Sequence, residues 1–210
     1  LVAGSVRPSV IIEGQISSVF AGGGSMFIAQ ALACIMFYVC ILAEANRAPF
    51  DNAEAEQELV GGYHTEYSAM RFALFFLGEY AHMITSSAFC VVLFFGGYHL
   101  PFVPLTSPEA VGPLALLVKF AVFYGKVILS VCFMMVIRWT IPRIRYDQVL
   151  KLAWQSLIPI SMVIVVATSV MVYFGWTASW QMLLMNGVLT VGFLVVGPLM
   201  PKTDVNRRSP

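Results

Sequence analysis

Residues 72–97 read FALFFLGEYAHMITSSAFCVVLFFGG, an apolar run in which Glu79 is the only carboxylate. A helix needs about 20 mostly apolar residues to cross the hydrocarbon core of a bilayer. Each run of this kind is too long for a strand, and none alternates polar and apolar residues with a period of two. The sequence therefore predicts an all-α integral membrane protein, a single polytopic membrane domain over residues 1–210 with about five transmembrane helices: 25–43, 72–97, 112–137, 152–174 and 178–200.

The composition excludes several classes of protein. The 210 residues are 59% hydrophobic and only 11% charged, with a mean hydropathy of +0.83, whereas soluble domains carry about 25% charged residues. The net charge of +1 predicts no nucleic-acid partner. The first residues lack a basic segment, so we expect no signal peptide and a sequence that is part of a longer protein. The four cysteines show no metal-binding spacing and are interpreted as buried thiols: Cys34, Cys40, Cys90 and Cys132.

The distribution of basic residues predicts the orientation in the membrane. The loop 138–151 carries four Lys and Arg residues, and the C-terminal tail carries three, whereas the loops 98–111 and 175–177 carry none. Cytoplasmic loops are enriched in Lys and Arg. We therefore expect the basic loop 138–151, the tail and the loop 44–71 to lie in the cytoplasm, with 5–24 and 98–111 outside.

The loop 44–71 and the start of the following helix hold most of the acids in the chain. A solvated loop whose acids begin a helix is one interpretation, because Asp51 and Glu54 follow Pro49 in an N-cap pattern. However, Glu54 and Glu58 lie one helical turn apart without a basic partner, which is locally repulsive. This clustering favours a functional site formed by seven carboxylates: Glu44, Asp51, Glu54, Glu56, Glu58, Glu66 and Glu79.

Charged residues also lie inside the predicted helices. A charged side chain at the bilayer centre costs about 2.5–3.5 kcal/mol on insertion scales, so Glu79 predicts a cavity or a proton path, unless it lies close enough to the headgroups to be wet. His82 is more typical of a satisfied polar core residue, and Lys119 can reach the headgroups. Lys126 lies mid-span and needs a carboxylate, a carbonyl-lined cavity or a changed pKa, with Glu79 as one candidate partner.

The basic loop carries Arg138 and Arg143 on either side of Pro142. These residues either anchor the chain by the positive-inside rule, or pair with carboxylates or a polar ligand headgroup. The sequence contains no dinucleotide fingerprint, phosphate-binding loop, zinc motif or Cys/His set for a cluster or haem. The polar groups are therefore expected to handle protons, a lipid-soluble ligand or a redox-active partner protein.

Four stretches identify a resemblance: EANRAPFD at 44–51, EAEQELVGGYHTEYS at 54–68, FALFFLGEY at 72–80 and PRIRYDQVLKLAW at 142–154. They closely resemble the quinone-site membrane subunit of respiratory complex I, the proton-translocating NADH:quinone oxidoreductase. The resemblance covers about residues 25–175. The family's upstream helices and its loop near the quinone entrance have no counterpart in these 210 residues.

The resemblance implies a subunit that is not catalytic alone, binds ubiquinone or another quinone, and couples its reduction to proton translocation. Glu44, the other six carboxylates and Lys126 would then belong to the proton path. The resemblance places four residues at the quinone chamber: Arg47, Phe50, Arg138 and Arg143. It implies no cofactor on this chain, because the flavin and iron–sulfur clusters belong to partner subunits.

The implied partners are the cluster-bearing hydrophilic arm, the antiporter-like membrane subunits and the lipid bilayer, in a bacterial inner (plasma) membrane. Two alternatives remain open. One is the membrane anchor of a related energy-converting hydrogenase, against which the full acid-rich loop argues. The other is an independent ion transporter, for which the sequence shows no inverted repeat or pair of broken helices.

Overall fold

The computed structural model describes residues 2–20, 30–51, 66–100, 103–176 and 178–196. Within these ranges the chain is helical and contains no strand, which confirms the predicted all-α class. The α-helices are α1 (Pro8–Phe20), α2 (Ala31–Glu44), α3 (Ala69–Phe94), α4 (Pro113–Thr140), α5 (Tyr146–Lys151), α6 (Ile158–Tyr173) and α7 (Ser179–Val196). A 3₁₀ turn, Pro104–Thr106, lies between α3 and α4, and a π-helical turn, Leu152–Leu157, joins α5 to α6.

Three helical stretches in the described chain are long and apolar enough to cross a membrane: Ala69–Phe94, Pro113–Thr140 and Tyr146–Tyr173. The apolar helices Ala31–Glu44 and Trp180–Val195 are shorter. The sequence ranges predicted for these two, 25–43 and 178–200, extend into residues outside the described part. α4 and α5 also take up much of the predicted basic loop 138–151, so only residues 141–145 connect them. Arg138 lies in the last turn of α4, where a cation suits the helix dipole.

The core lies where α2 and α4 pack against α3. A buried cluster contains residues from all three helices and from the segment after α2, and it consists of Cys34, Ile41, Leu42, Phe50, Met83, Cys90, Phe94 and Met134. Tyr38 of α2 donates a hydrogen bond of 2.6 Å to the Ser130 carbonyl of α4. α1 packs against α3, while α6 packs against α2 and α7. The packing of α2, α3 and α4 therefore fixes the relative positions of the polar groups near the ends of these helices.

Pro159 explains the π-helical turn. It has no amide hydrogen and its ring excludes a regular hydrogen bond to the carbonyl four residues earlier. The resulting distortion takes the form of six residues, Leu152–Leu157, with π-helical bonding. α6 then begins at Ile158 with Pro159 in its first turn, so the helical path continues from Tyr146 to Tyr173.

Candidate functional site

An ion pair joins α2 to α3. Arg47 Nε lies 2.8 Å from Glu79 Oε1, and the two side chains are 10% and 20% exposed. The Arg47 guanidinium also stacks 4.8 Å from the centre of the Tyr80 ring. A partly buried carboxylate is stabilised by a compensating charge, and here Arg47 provides it.

The end of α2 explains why Arg47 faces α3. Asn46 has a φ of 47°, the left-handed conformation that Asn tolerates better than most residues. The Asn46 amide donates to the Ala43 carbonyl at 3.4 Å, and the Arg47 amide donates to the Leu42 carbonyl at 3.3 Å. These are the two bonds of a Schellman motif. The motif stops the helix and turns the chain back across α3, so that Arg47 is buried beside Glu79.

A second ion pair joins the segment after α2 to the segment after α4. Arg143 Nη2 lies 3.2 Å from Asp51 Oδ2, and the Asp51 side chain is only 6% exposed. Next to this pair, the Ile144 amide donates a hydrogen bond of 3.0 Å to the Pro49 carbonyl. Phe50, between Pro49 and Asp51, is buried in the core. The structure thus shows the pairing with a carboxylate that the sequence left open for Arg143.

A third, looser contact continues along α3. His82 Nε2 lies 3.7 Å from Glu44 Oε2 and 3.3 Å from Ser86 Oγ. Glu44 is largely exposed, whereas Ser86 is buried. His82 and Ser86 are four residues apart and share a face of α3. These side chains form a polar row from the end of α2 toward the middle of α3, and the sequence had favoured a plain core role for His82.

Lys126 has a different partner from the candidate that the sequence named. Its ammonium donates to the carbonyls of Phe95, Gly97 and His99, at 2.7, 3.0 and 2.6 Å. Glu79 pairs with Arg47 instead. Glu79 is therefore not the partner of Lys126, because backbone carbonyls in the turn after α3 satisfy the ammonium. A carbonyl-lined environment was one of the alternatives that the sequence allowed.

Other predicted site residues are either exposed or outside the described chain. Glu66 and Arg138 are exposed. Glu54, Glu56 and Glu58 fall within residues 52–65, outside the described residues, as does the helix start expected after Asp51. In the part of the chain that the structure describes, no group of three or more His, Cys, Asp or Glu side chains could hold a metal ion.

An apolar cavity of about 650 Å³ lies between α2 and α4. It extends from Pro49 and Phe50, beside the Asp51–Arg143 pair, to Lys126 in the middle of α4. Its wall is almost entirely carbon, with Tyr38 and Ser130 among the few polar residues. Such a space suits an apolar chain much better than a polar metabolite.

Sequence reasoning found the charged residues but not how they pair. The Arg47–Glu79 contact joins residues 32 positions apart, and no local periodicity predicts it. A signal for His82 existed, because it lies three residues after Glu79 and so near the same face of one helix. Nothing in the sequence indicated that Gln15 of α1 would be buried, with hydrogen bonds to the carbonyls of Val92 and Leu93.

Comparison with known proteins gives a consistent match. The model of the NADH dehydrogenase family matches residues 1–169. The H subunit of the NADH-quinone oxidoreductase of Flavobacterium johnsoniae is 41% identical over 172 residues, which are 82% of this chain and 48% of that protein. NADH-quinone oxidoreductase subunit 8 of Rhodothermus marinus is 41% identical over 179 residues, 82% of this chain and 52% of that protein. The H subunit of the Salinibacter ruber enzyme is 42% identical over 170 residues, 77% of this chain and 48% of that protein. The chain thus spans about half the length of the curated relatives it matches.

Proposed function

Because the chain belongs to the NADH dehydrogenase family, we propose that it forms part of the membrane subunit of a proton-translocating NADH:quinone oxidoreductase. In this proposal the chain contributes to the quinone chamber and couples quinone reduction to proton movement. The observation that carries it is the Arg47–Glu79 pair, in which a partly buried carboxylate of a predicted transmembrane helix is paired with a buried cation from the neighbouring helix end.

The pair is suited to respond to charge. In a low-dielectric interior, a charge that appears nearby acts on both partners more strongly than it would in water. If Glu79 takes up a proton, Arg47 loses its compensating charge and a buried cation is left unpaired, which is costly. Protonation of Glu79 is therefore coupled to movement of Arg47 or to its pairing with another group. This coupling gives quinone chemistry a way to change proton affinity inside the membrane.

The remaining acids extend the proposed proton path on both sides of this pair. Glu44 approaches His82, and Asp51 lies against Arg143. We include in this path the acids that the resemblance assigned to it and that lie farther along the chain: Glu54, Glu56, Glu58 and Glu66.

The quinone chamber is proposed to lie beside Phe50, Arg47, Arg138 and Arg143. Guanidinium groups donate hydrogen bonds to carbonyl oxygens, and a reduced, anionic headgroup would strengthen those bonds. The adjoining apolar cavity of about 650 Å³ supports this location, because a quinone carries an apolar tail. Phe50 is buried at the boundary between the polar pairs and this cavity.

The proposed subunit works only within a larger complex. We propose that its partners are the hydrophilic arm with flavin and iron–sulfur clusters and the antiporter-like membrane subunits. The complex would lie in a bacterial inner membrane, which the chain crosses several times. The names of the relatives, all from bacteria, support this choice over a hydrogenase anchor or an independent transporter.

The test is removal of the Glu79 charge in the assembled complex. We expect Glu79→Gln to lower quinone reduction and the proton gradient strongly, because an amide cannot take up and release a proton. Glu79→Asp should retain part of both activities. NADH oxidation by a water-soluble artificial acceptor reports that the hydrophilic arm is intact. Glu109→Gln is the matched control, since Glu109 is an exposed carboxylate in the loop before α4.

A double variant separates a proton role from a structural one. Glu79→Gln alone leaves Arg47 unpaired, and the resulting loss of stability could itself reduce activity. Arg47→Gln/Glu79→Gln removes both charges together. If the pair only holds α2 against α3, the double variant should recover quinone reduction and pumping. Continued loss of both in an intact complex excludes a purely structural role for the pair, whereas full coupled activity in Glu79→Gln would exclude Glu79 from the proton path.

A further inference from the structure

The ammonium of Lys126 caps the end of α3 by hydrogen bonding to the backbone that follows it. Three backbone carbonyls, those of Phe95, Gly97 and His99, accept hydrogen bonds from it at 2.7, 3.0 and 2.6 Å. An ammonium has three hydrogens, so these bonds use its full donor capacity. The residue comes from the middle of α4, and its bonds tie two long helices together at one level.

The backbone after α3 is shaped to present these carbonyls. Gly96 and Gly97 have φ values of 70° and 53°, the left-handed region that favours glycine. A Cβ on Gly97 would lie 2.5 Å from Ile12 Cδ1, so a larger residue would require the Ile12 side chain of α1 to move. The chain thereby curls around the Lys126 ammonium, while the Gly97 amide bonds back to the Val91 carbonyl at 3.0 Å.

A cation at this position is favoured by the partial negative charge of the carbonyls and by their need for hydrogen-bond donors. The last carbonyls of a helix have no partner inside the helix and carry a partial negative charge. Away from water, each unsatisfied backbone group costs several kcal/mol. Gln15 of α1 satisfies the carbonyls of Val92 and Leu93, at 3.0 and 2.9 Å, and Lys126 satisfies those beyond them. The end of α3 is thus held from two sides.

We propose that Lys126 is a positioning residue, which fixes the end of α3 against α4 and so keeps Glu79, on the same helix, beside Arg47. This inference rests on the proposed function. About 16 residues separate Glu79 from the capped carbonyls, or about 24 Å along the helix axis. The hydrogen bonds of a helix make it stiff to stretching and to twisting. A shift or rotation at the end of α3 would therefore also move Glu79.

The geometry opposes a role for Lys126 as a proton carrier. A carrier needs a neighbouring base, whereas the acceptors of Lys126 in the described chain are amide carbonyls, which are far weaker bases than an amine. The Glu79 carboxylate pairs with Arg47 instead. Lys126 is therefore separated in this proposal from the acids of the proton path, although the resemblance groups them together.

The first measurement is local and does not depend on activity. In the assembled complex, hydrogen–deuterium exchange of a peptide covering residues 92–100 should rise by about tenfold in Lys126→Met, which corresponds to about 1.4 kcal/mol of local stability. Lys151→Met is the control, because Lys151 is an exposed lysine in the last turn of α5, away from this peptide in the sequence. Unchanged exchange in Lys126→Met would overturn the proposal.

The second measurement separates positioning from proton transfer. Lys126→Met should lower quinone reduction and the proton gradient in the same proportion, and Lys126→Arg, which keeps the cation and its donors, should restore both. Loss of pumping with quinone reduction retained in Lys126→Arg would indicate a proton carrier and overturn the proposal. If Lys126→Met does not assemble, Lys126→Gln, which keeps two donors, takes its place in both experiments.

The third measurement asks whether Lys126 acts through Glu79. In a Glu79→Gln complex, Lys126→Met should lower quinone reduction no further, since the group that it positions is already lost. A further independent loss would overturn the link to Glu79. Full activity of Glu79→Gln by itself would contradict the proposed function instead, while the exchange measurement at residues 92–100 would still test the cap.

Discussion

Asn46 shows how one residue directs the chemistry of its neighbours. Its left-handed conformation, with a φ of 47°, completes the Schellman motif at the end of α2 and turns Arg47 toward α3. The Asn46 side chain itself is exposed, so its contribution is to the backbone. The position of the Arg47 guanidinium beside Glu79 therefore depends on a residue that touches neither charge.

This role of Asn46 predicts opposite results for two substitutions. Asn46→Gly should keep the stability and quinone reduction of the complex, because glycine readily adopts a positive φ. Asn46→Val should cost about 1–2 kcal/mol, since the left-handed conformation is unfavourable for residues with a Cβ and worst for branched ones. The measurement is the temperature at which the solubilised complex loses quinone reduction. Equal losses in both variants would show that the amide side chain matters more than the backbone.

At the scale of elements, the short segment 141–145 between α4 and α5 is attached to the segment after α2. Its attachment consists of the Arg143–Asp51 ion pair and the bond from the Ile144 amide to the Pro49 carbonyl. The segments come from distant parts of the chain and meet beside the apolar cavity. If the proposed function is right, loss of this attachment should disturb the proposed quinone chamber and leave NADH oxidation by the proposed partner subunits unchanged.

Arg143→Ala should therefore lower quinone-coupled turnover at least about tenfold, because a charged hydrogen bond contributes about 1.5–3 kcal/mol and about 1.36 kcal/mol corresponds to a factor of ten in rate. NADH oxidation by an artificial acceptor should change little. Arg145→Ala is the control, because Arg145 is an exposed arginine two residues away in the same segment. If both activities fell together in Arg143→Ala, the arginine would act in assembly or anchoring.

At the scale of the whole molecule, the long helices bury few of their side chains against one another. Many large apolar residues of α4 and α6 are exposed, including Leu116, Leu117, Leu129 and Met162. In water such a surface would cause aggregation, whereas lipid or a neighbouring membrane subunit can cover it. The charged pairs, by contrast, concentrate where α2 meets α3 and where the segments after α2 and α4 meet.

The positive-inside distribution predicts which side of the membrane each end faces. In a complex freed of reactive native cysteines, Glu109→Cys should react with a membrane-impermeant thiol reagent from the periplasm. Gln148→Cys should react only from the cytoplasm, because Lys and Arg concentrate around it. The reverse pattern of labelling would overturn the orientation and move the acidic segment to the periplasm.

The sequence by itself determined the helical membrane class, the identity of the polar residues and the site of the proline distortion. These properties depend on local composition, on the length of apolar runs and on backbone chemistry, which neighbouring residues carry. Asp51 and Arg143 could be named as site residues because charges are rare in such a chain, and the family resemblance rests on contiguous motifs of the same kind.

Only the tertiary structure decided which group meets which. Glu79 faces Arg47 because a helix end 32 residues earlier turns back across α3, and Lys126 faces three carbonyls in place of a carboxylate. A sequence gives the side chain at each position, but it does not show which backbone carbonyls lack a hydrogen-bond partner after a helix ends. Packing of α3 against α2 and α4 brings those free groups and the distant charges together, and electrostatic compensation in a low-dielectric interior then selects the partners.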